Sequence, residues 1–195
     1  MNYPRVSTIL SDLGIRSAGT AFMEPKHRRR GRLVHEACHI LGKGMEIDPA
    51  WFERSSGEGD HDLVAHKDCI PYIDGYRKFM RDAATTTEWQ MSNFFPIRNS
   101  ELEVTHKLER YVGHIDQIGK DEQVLDIKTG SSPPWTKLQT ALYDMAYAAG
   151  NRRWELTLPG DGDYKLARHA DYRDFAAGTV LVRAWWLINS YGGHE

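Results

Sequence analysis

An α/β fold, a mixed sheet with helices on its faces, is what this chain of 195 residues predicts. Three observations carry that expectation. Apolar residues recur at helical spacing in early, middle and late segments. Three alternating stretches follow one another between residues 101 and 129, and two shorter ones lie between 154 and 168. Clusters of Gly, Pro, Ser and Asp separate these segments. Hydrophobic residues make up 41% and charged residues 27%, ordinary values that argue against global disorder and fibrous architectures. The length calls for no second core, so a single domain spanning residues 1–195 is expected.

The elements read as follows. Val6 to Gly14 forms a short helix capped by Ser7 or Thr8 and stopped by Gly14. Leu33, Ala37, Ile40 and Leu41 place one buried side on a helix from Arg32 to Leu41, which carries His35. Ser55 to Asp60 is a polar loop. Tyr72, Ile73, Tyr76, Phe79 and Met80 mark a helix from Ile70 to about Ala84 that starts near Pro71. Strands are expected at Glu101 to His106, Leu108 to Ile118 and Gln123 to Thr129, the last two joined by a turn at Gly119 to Glu122. Gly130 to Pro134 breaks the chain before a helix from Trp135 to Ala149. Strands at Trp154 to Leu158 and Tyr164 to Arg168 flank a Pro-Gly-Asp-Gly-Asp turn, and a last helix runs from Tyr172 to Ile188.

Twenty-five Lys and Arg against 27 Asp and Glu give a net charge of -2, so bulk charge does not announce a nucleic-acid partner. The distribution says more, because Lys26, Arg28, Arg29, Arg30 and Arg32 crowd into one segment just before His35. Such a run is either a solvated surface or a phosphate-contacting arm whose affinity falls steeply with salt. No apolar run is long enough to cross a bilayer, and the N-terminus lacks the pattern of a secretory signal, so a soluble, cytoplasmic protein is expected. Cys38 and Cys69, widely separated, are expected as reduced thiols.

The most informative chemistry sits on the hairpin. Side chains on a strand alternate, so Asp126 and Lys128 share a face while Ile127 points to the other. Antiparallel pairing through the turn sets Asp116 opposite Asp126. Two facing carboxylates repel, and a shared proton or a divalent cation is the usual remedy. Oxygen ligands on rigid strands suit Mg²⁺ or Mn²⁺, and the adjacent Lys128 suits attack on a phosphodiester. The plainer reading of Asp126 and Lys128 is an exposed ion pair on one strand, worth at most about 1 kcal/mol.

An Asp-x-Lys triplet alone is common. The ordered set is not: His35 on a helix after Gly31, Glu101 before the hairpin, Gly113-x-x-Asp116, Asp126-x-Lys128-Thr129-Gly130, then Gln139-x-x-x-Tyr143. In these motifs the chain resembles the PD-(D/E)XK nuclease superfamily, specifically its RecB-like branch of phage exonucleases and CRISPR-associated nucleases. The resemblance implies a restriction-endonuclease-like core, a central mixed sheet flanked by helices, and metal-dependent cleavage of DNA. It implies that His35, Asp116, Asp126, Glu101 and the Ile127 carbonyl hold Mg²⁺ or Mn²⁺, Glu103 competing with Glu101. The His ligand tilts the preference to Mn²⁺. His114 and His106, on the Asp116 face by alternation, are further neighbours of the site.

The same resemblance implies that Lys128 is catalytic and that Gln139 and Tyr143 handle substrate. DNA contacts are expected from Arg28, Arg29, Arg30, Arg32, Gln139, Tyr143 and Trp135, the last by stacking on a base. Tyr143 and Trp135 could instead pack on the core. Several relatives carry an iron–sulfur cluster held by four cysteines, and this chain has none after Cys69, which disfavours a cluster-dependent enzyme. The function implied is a DNA exonuclease serving phage or prophage recombination, repair or processing, in the host cytoplasm if phage-encoded. A recombination or single-strand-binding protein is the implied partner, and oligomers are compatible, since related exonucleases form rings. The alternatives are an endonuclease or flap nuclease of the same fold, and an inactive nucleic-acid-binding or host-interference protein.

Overall fold

A computed structural model describes residues 3–16, 25–48, 66–86 and 94–191. The expected polar loop Ser55 to Asp60 lies outside them. In chain order the elements are α1 (Val6–Asp12), α2 (Pro25–Gly42), α3 (His66–Thr85), β1 (Asn99–His106), β2 (Tyr111–Ile118), β3 (Val124–Thr129), α4 (Thr136–Tyr147), β4 (Arg153–Leu158), β5 (Lys165–His169) and α5 (Arg173–Tyr191). The five strands form one sheet in the order β1-β2-β3-β4-β5. All neighbours are antiparallel except β3 and β4, which run parallel because α4 carries the chain back across the sheet. The expected α/β class, with a mixed sheet between helices, is what the structure has.

Two apolar clusters lie on the two faces. On one, Leu33, Val34, Ala37 and Cys38 of α2 and Tyr72, Ile73, Tyr76 and Phe79 of α3 pack on Leu125, Ile127, Leu156 and Leu158. On the other, Val6, Ile9 and Leu10 of α1, Leu142 and Tyr143 of α4 and Val182 of α5 pack on Val104, Ile115 and Val124. Both cysteines are buried free thiols. Helix α2 lies close to β3 at Gly31, where a Cβ would stand 3.2 Å from Thr129 Oγ1. A fully buried Arg153 fastens β4 to the helices behind it. It donates to Asn151 Oδ1, to the carbonyls of Lys137 and Asp171 and to Asp174, and lies over the Phe175 ring. Among the described residues no helix is long and apolar enough to cross a membrane.

Several boundaries differ from expectation, each for a physical reason. Ser7 and Thr8 do not cap α1; its N-cap is the extended Arg5, with no side-chain cap bond. Pro4 and Arg5 are drawn out along β2, where Val112 N–H donates to the Pro4 carbonyl at 2.9 Å and Arg5 bridges Val112. Helix α2 starts at Pro25, so the basic run belongs to the helix itself instead of preceding it. Lys and Arg are good helix formers, and a stretch without buried residues hides this from apolar periodicity. Pro71 lies inside α3 and does not start it. The turn before it is held by Asp68, 3.4 Å from Lys26, and by buried Cys69. Strand β2 begins at Tyr111, while Leu108 is exposed in the preceding turn.

Candidate metal centre

The site forms where the sheet parts. Strands β2 and β3 pair only at Gln117 with Leu125 and Ile118 with Val124, so Asp116 stands opposite Asp126 in register but beyond the last rung. In place of a backbone rung, Asp116 Oδ2 accepts the Ile127 N–H at 2.6 Å. On the other edge of β2 the β1 ladder skips Glu101, whose φ of 56° is a left-handed conformation unusual for a side-chain-bearing residue. Alternation along β2 slips here. Ile115 and Ile118 pack in the same cluster although three apart, and Gln117 turns towards α2 and α3, donating to the Cys38 carbonyl and pairing with Tyr76 Oη. Ser100 Oγ ties the kink by donating to the Asp116 carbonyl at 3.2 Å and lies 2.8 Å from His39 Nδ1.

Around this parting the structure gathers His35, Glu101 and Asp116, each offering one ligand atom within 4.8 Å of the others. His35 Nδ1 lies 3.4 Å from Asp116 Oδ1. Burial opposes a charge on both, yet each stabilises the other: the imidazole pKa is raised by Asp116, and the Asp116 carboxyl is held low by His35. Burial, and then the charge of Asp116, lifts Glu101 above the usual carboxylate range. Two carboxylates that repel as anions, with an imidazole beside them, fit a divalent cation with mixed oxygen and nitrogen preference such as Mn²⁺, and also Mg²⁺. His114 Nδ1 stands 3.2 Å from Glu101 Oε2, where it orients that carboxylate. His106 is elsewhere, stacked on Tyr111 and accepting the Glu109 N–H. Glu103 pairs in register with His114 and is not one of the three close donors.

Asp126 does not join that trio. It is 2% exposed, and its Oδ2 lies 2.7 Å from Lys128 Nζ. Burial pushes its carboxyl up to about 6, Lys128 pulling it down and Asp116 adding to the rise. Lys128 Nζ also donates to Gln139 Oε1 at 3.0 Å, and Gln139 Nε2 donates to Tyr143 Oη at 2.6 Å. Glycine at 113 makes room for Tyr143, since a Cβ there would stand 2.7 Å from the ring. Ile127 enters the site through its N–H, with its side chain in the core. A cavity of about 60 Å³ beside Tyr143 and His114, lined by polar Arg5, Ser7 and Glu103 and by apolar Val6 and Val112, has room for solvent.

The expected DNA contacts divide. Gln139 and Tyr143 are nearly buried and turned towards each other and Lys128, so they brace the lysine and do not present themselves to a phosphate. Trp135 is not an open stacking platform: Lys128 Nζ and Arg16 Cζ lie over its ring at 5.3 and 5.4 Å from the centroid. Within the basic run, Arg30 sits over the Tyr72 ring and Arg29 is half-buried. Arg28 and Arg32 are exposed, seven and three residues before His35, hence on its helical face. Sequence reasoning missed Arg16, His39, Ser100 and the Glu155 cluster on β4, where Thr157 Oγ1 donates to the buried Glu155 and His169 lies 3.4 Å away. Arg16, His39 and Ser100 come to the site through tertiary contacts that no sequence spacing announces. No protein-family model matches the chain, and no curated protein matches it.

Proposed function

We propose that the protein is a divalent-metal-dependent deoxyribonuclease with a PD-(D/E)XK, restriction-endonuclease-like core, acting as an exonuclease in recombination, repair or DNA processing. The observation that carries the reading is the trio His35, Glu101 and Asp116 beside a braced lysine. A Mn²⁺ or Mg²⁺ ion held by these three supplies, when bound, neutralisation of phosphoryl charge and acidification of water. The protein's own groups do the rest. His114 keeps Glu101 turned inward, and the Ile127 N–H keeps Asp116 in place. Asp126 and Gln139 hold the Lys128 ammonium still, so its charge is already oriented when negative charge builds on the phosphoryl oxygens. Arg28 and Arg32, on the His35 face of α2, extend a positive track for the DNA backbone.

Digestion of end-labelled linear DNA and closed circular DNA with Mn²⁺, Mg²⁺ or EDTA tests this. Metal-dependent loss of linear DNA with circles intact is the expected result, and cut circles would make the enzyme an endonuclease. A thermal shift by Mn²⁺ in the wild type that disappears in His35→Ala, Glu101→Gln and Asp116→Asn checks the metal trio without relying on turnover. Tight DNA binding with no product under any metal, or an unchanged Mn²⁺ shift in all three variants, would overturn the proposal.

A further inference from the structure

We propose that Ser100, held by His39 of α2, is a positioning residue that fixes the spacing between Glu101 and Asp116 and so sets the grip of the trio on a divalent cation. The inference rests on the nuclease reading and adds to it two residues outside the donor set. The strand register locates the effect. Ser100 pairs with Gln117 and Leu102 with Ile115, so Glu101 falls opposite Asp116 on the rung between them, which the ladder skips. Carboxylates facing each other across a strand pair repel. Glu101 also carries a left-handed backbone, with φ of 56°, which a residue with a side chain keeps only under constraint.

That constraint comes from the neighbouring rung, which α2 clamps on both strands. Gln117 Nε2 donates to the Cys38 carbonyl at 3.1 Å, and Nδ1 of His39, the next residue of α2, lies 2.8 Å from Ser100 Oγ. Ser100 Oγ in turn donates to the Asp116 carbonyl at 3.2 Å, so one hydroxyl links the residue before Glu101 to the residue opposite it. With its own proton committed there, the serine oxygen accepts from His39, which places a hydrogen on Nδ1. His39 follows His35 by four residues and shares its helical face. One face of α2 therefore carries a candidate ligand and, a turn further on, the group that locks the strands bearing the other two. Loss of the hydroxyl frees the Glu101 backbone and lets the two carboxylates separate. The donor set then stays chemically complete but is no longer preorganised, and losing a hydrogen bond behind metal ligands typically weakens affinity about ten- to a hundredfold.

The test uses the full chain and Mn²⁺ alone, free Mn²⁺ being counted by its electron paramagnetic resonance signal. Ser100→Ala should weaken Mn²⁺ binding about ten- to a hundredfold, and Ser100→Thr, which keeps the hydroxyl, should stay within about threefold of wild type. His39→Leu should weaken it about three- to tenfold, and His39→Asn, whose amide N–H stands in for Nδ1–H, should recover most of the loss. The urea midpoint of Ser100→Ala in EDTA should be unchanged or raised, because release of the facing carboxylates and of the left-handed backbone offsets the lost hydrogen bond. A hydroxyl that merely held the fold would lower metal affinity and metal-free stability together. Should Ser100→Ala fail to fold by circular dichroism, the two His39 variants decide the matter. Unchanged Mn²⁺ affinity in Ser100→Ala, a lowered midpoint in EDTA, Ser100→Thr as weak as Ser100→Ala, or His39→Asn no better than His39→Leu overturns the inference, while a wild type that binds Mn²⁺ and cuts DNA keeps the nuclease reading. A wild type that binds no Mn²⁺ overturns the metal trio, and this inference with it.

Discussion

Replacing Gly113 by alanine tests how tightly the hairpin and α4 are matched. The added Cβ would stand 2.7 Å from Tyr143 Cδ1, 3.1 Å from Cε1 and 3.2 Å from Val104 Cγ2, where ordinary contacts begin near 3.4 Å. The ring must therefore retreat by about 0.7 Å, which strains the 2.6 Å bond between Tyr143 Oη and Gln139. Three terms compete. Alanine removes unfolded-state freedom worth about 0.4–1 kcal/mol, since Gly113 does not need a left-handed backbone. Overpacking costs about 1–3 kcal/mol, and the weakened hydrogen bond about 1 kcal/mol more. The net expectation is a loss of about 1–3 kcal/mol in urea unfolding, accompanied, if the proposed nuclease activity holds, by reduced cleavage, because Gln139 loses its partner while bracing Lys128. The diagnostic is a double-mutant cycle with Tyr143→Ala: once the ring is gone, the alanine should cost nothing or stabilise. Additive effects of the two changes, or a Gly113→Ala protein as stable as wild type, would refute the argument.

Two further outcomes follow from buried charge. Burial raises the Asp126 carboxyl to about 6 from 3.8, so between those values the folded chain binds the proton more tightly than the unfolded one. Stability in EDTA should accordingly fall as pH rises from about 4 through about 6. A rise from 3.8 to about 6 bounds this term at ~3 kcal/mol, and Asp126→Asn should remove it from the pH slope of urea titrations. An unchanged slope would count against the sealed carboxyl. Arg153→Met should destabilise by about 3–5 kcal/mol, because Asp174 and two carbonyls lose their donor in the interior. A loss under about 1 kcal/mol by the same measurement would contradict that.

Much of the architecture was legible because it follows local rules. The hairpin register that sets Asp116 against Asp126 needs only strand alternation and a turn of known length, and the two strands pair in that register. Leu33, Ala37 and the aromatic residues of α3 declare their buried sides by spacing alone. What escaped is tertiary. The left-handed backbone at Glu101 and the slip of alternation at Asp116 break the rule that placed His106 beside the site, and no propensity at those residues announces them. Gln139 and Tyr143 look like a polar pair on a helix surface until the sheet covers them. Pro71 reads as a start signal, yet the turn before it is kept helical by contacts to α2 that lie far off in sequence.

The close approach of α2 to β3 at Gly31 has a wider consequence. His35 rides one turn further along the same helix, while Asp116 and Glu101 belong to the sheet, so the gap between helix and strand sets the aperture of the trio. In the proposed metal centre, a bulkier side chain at residue 31 against Thr129 would lift the imidazole away from the carboxylates and favour ions of larger radius. On that proposal, discrimination among cations would be adjustable from a neutral position outside the donor set, by changing the thickness of a single van der Waals contact.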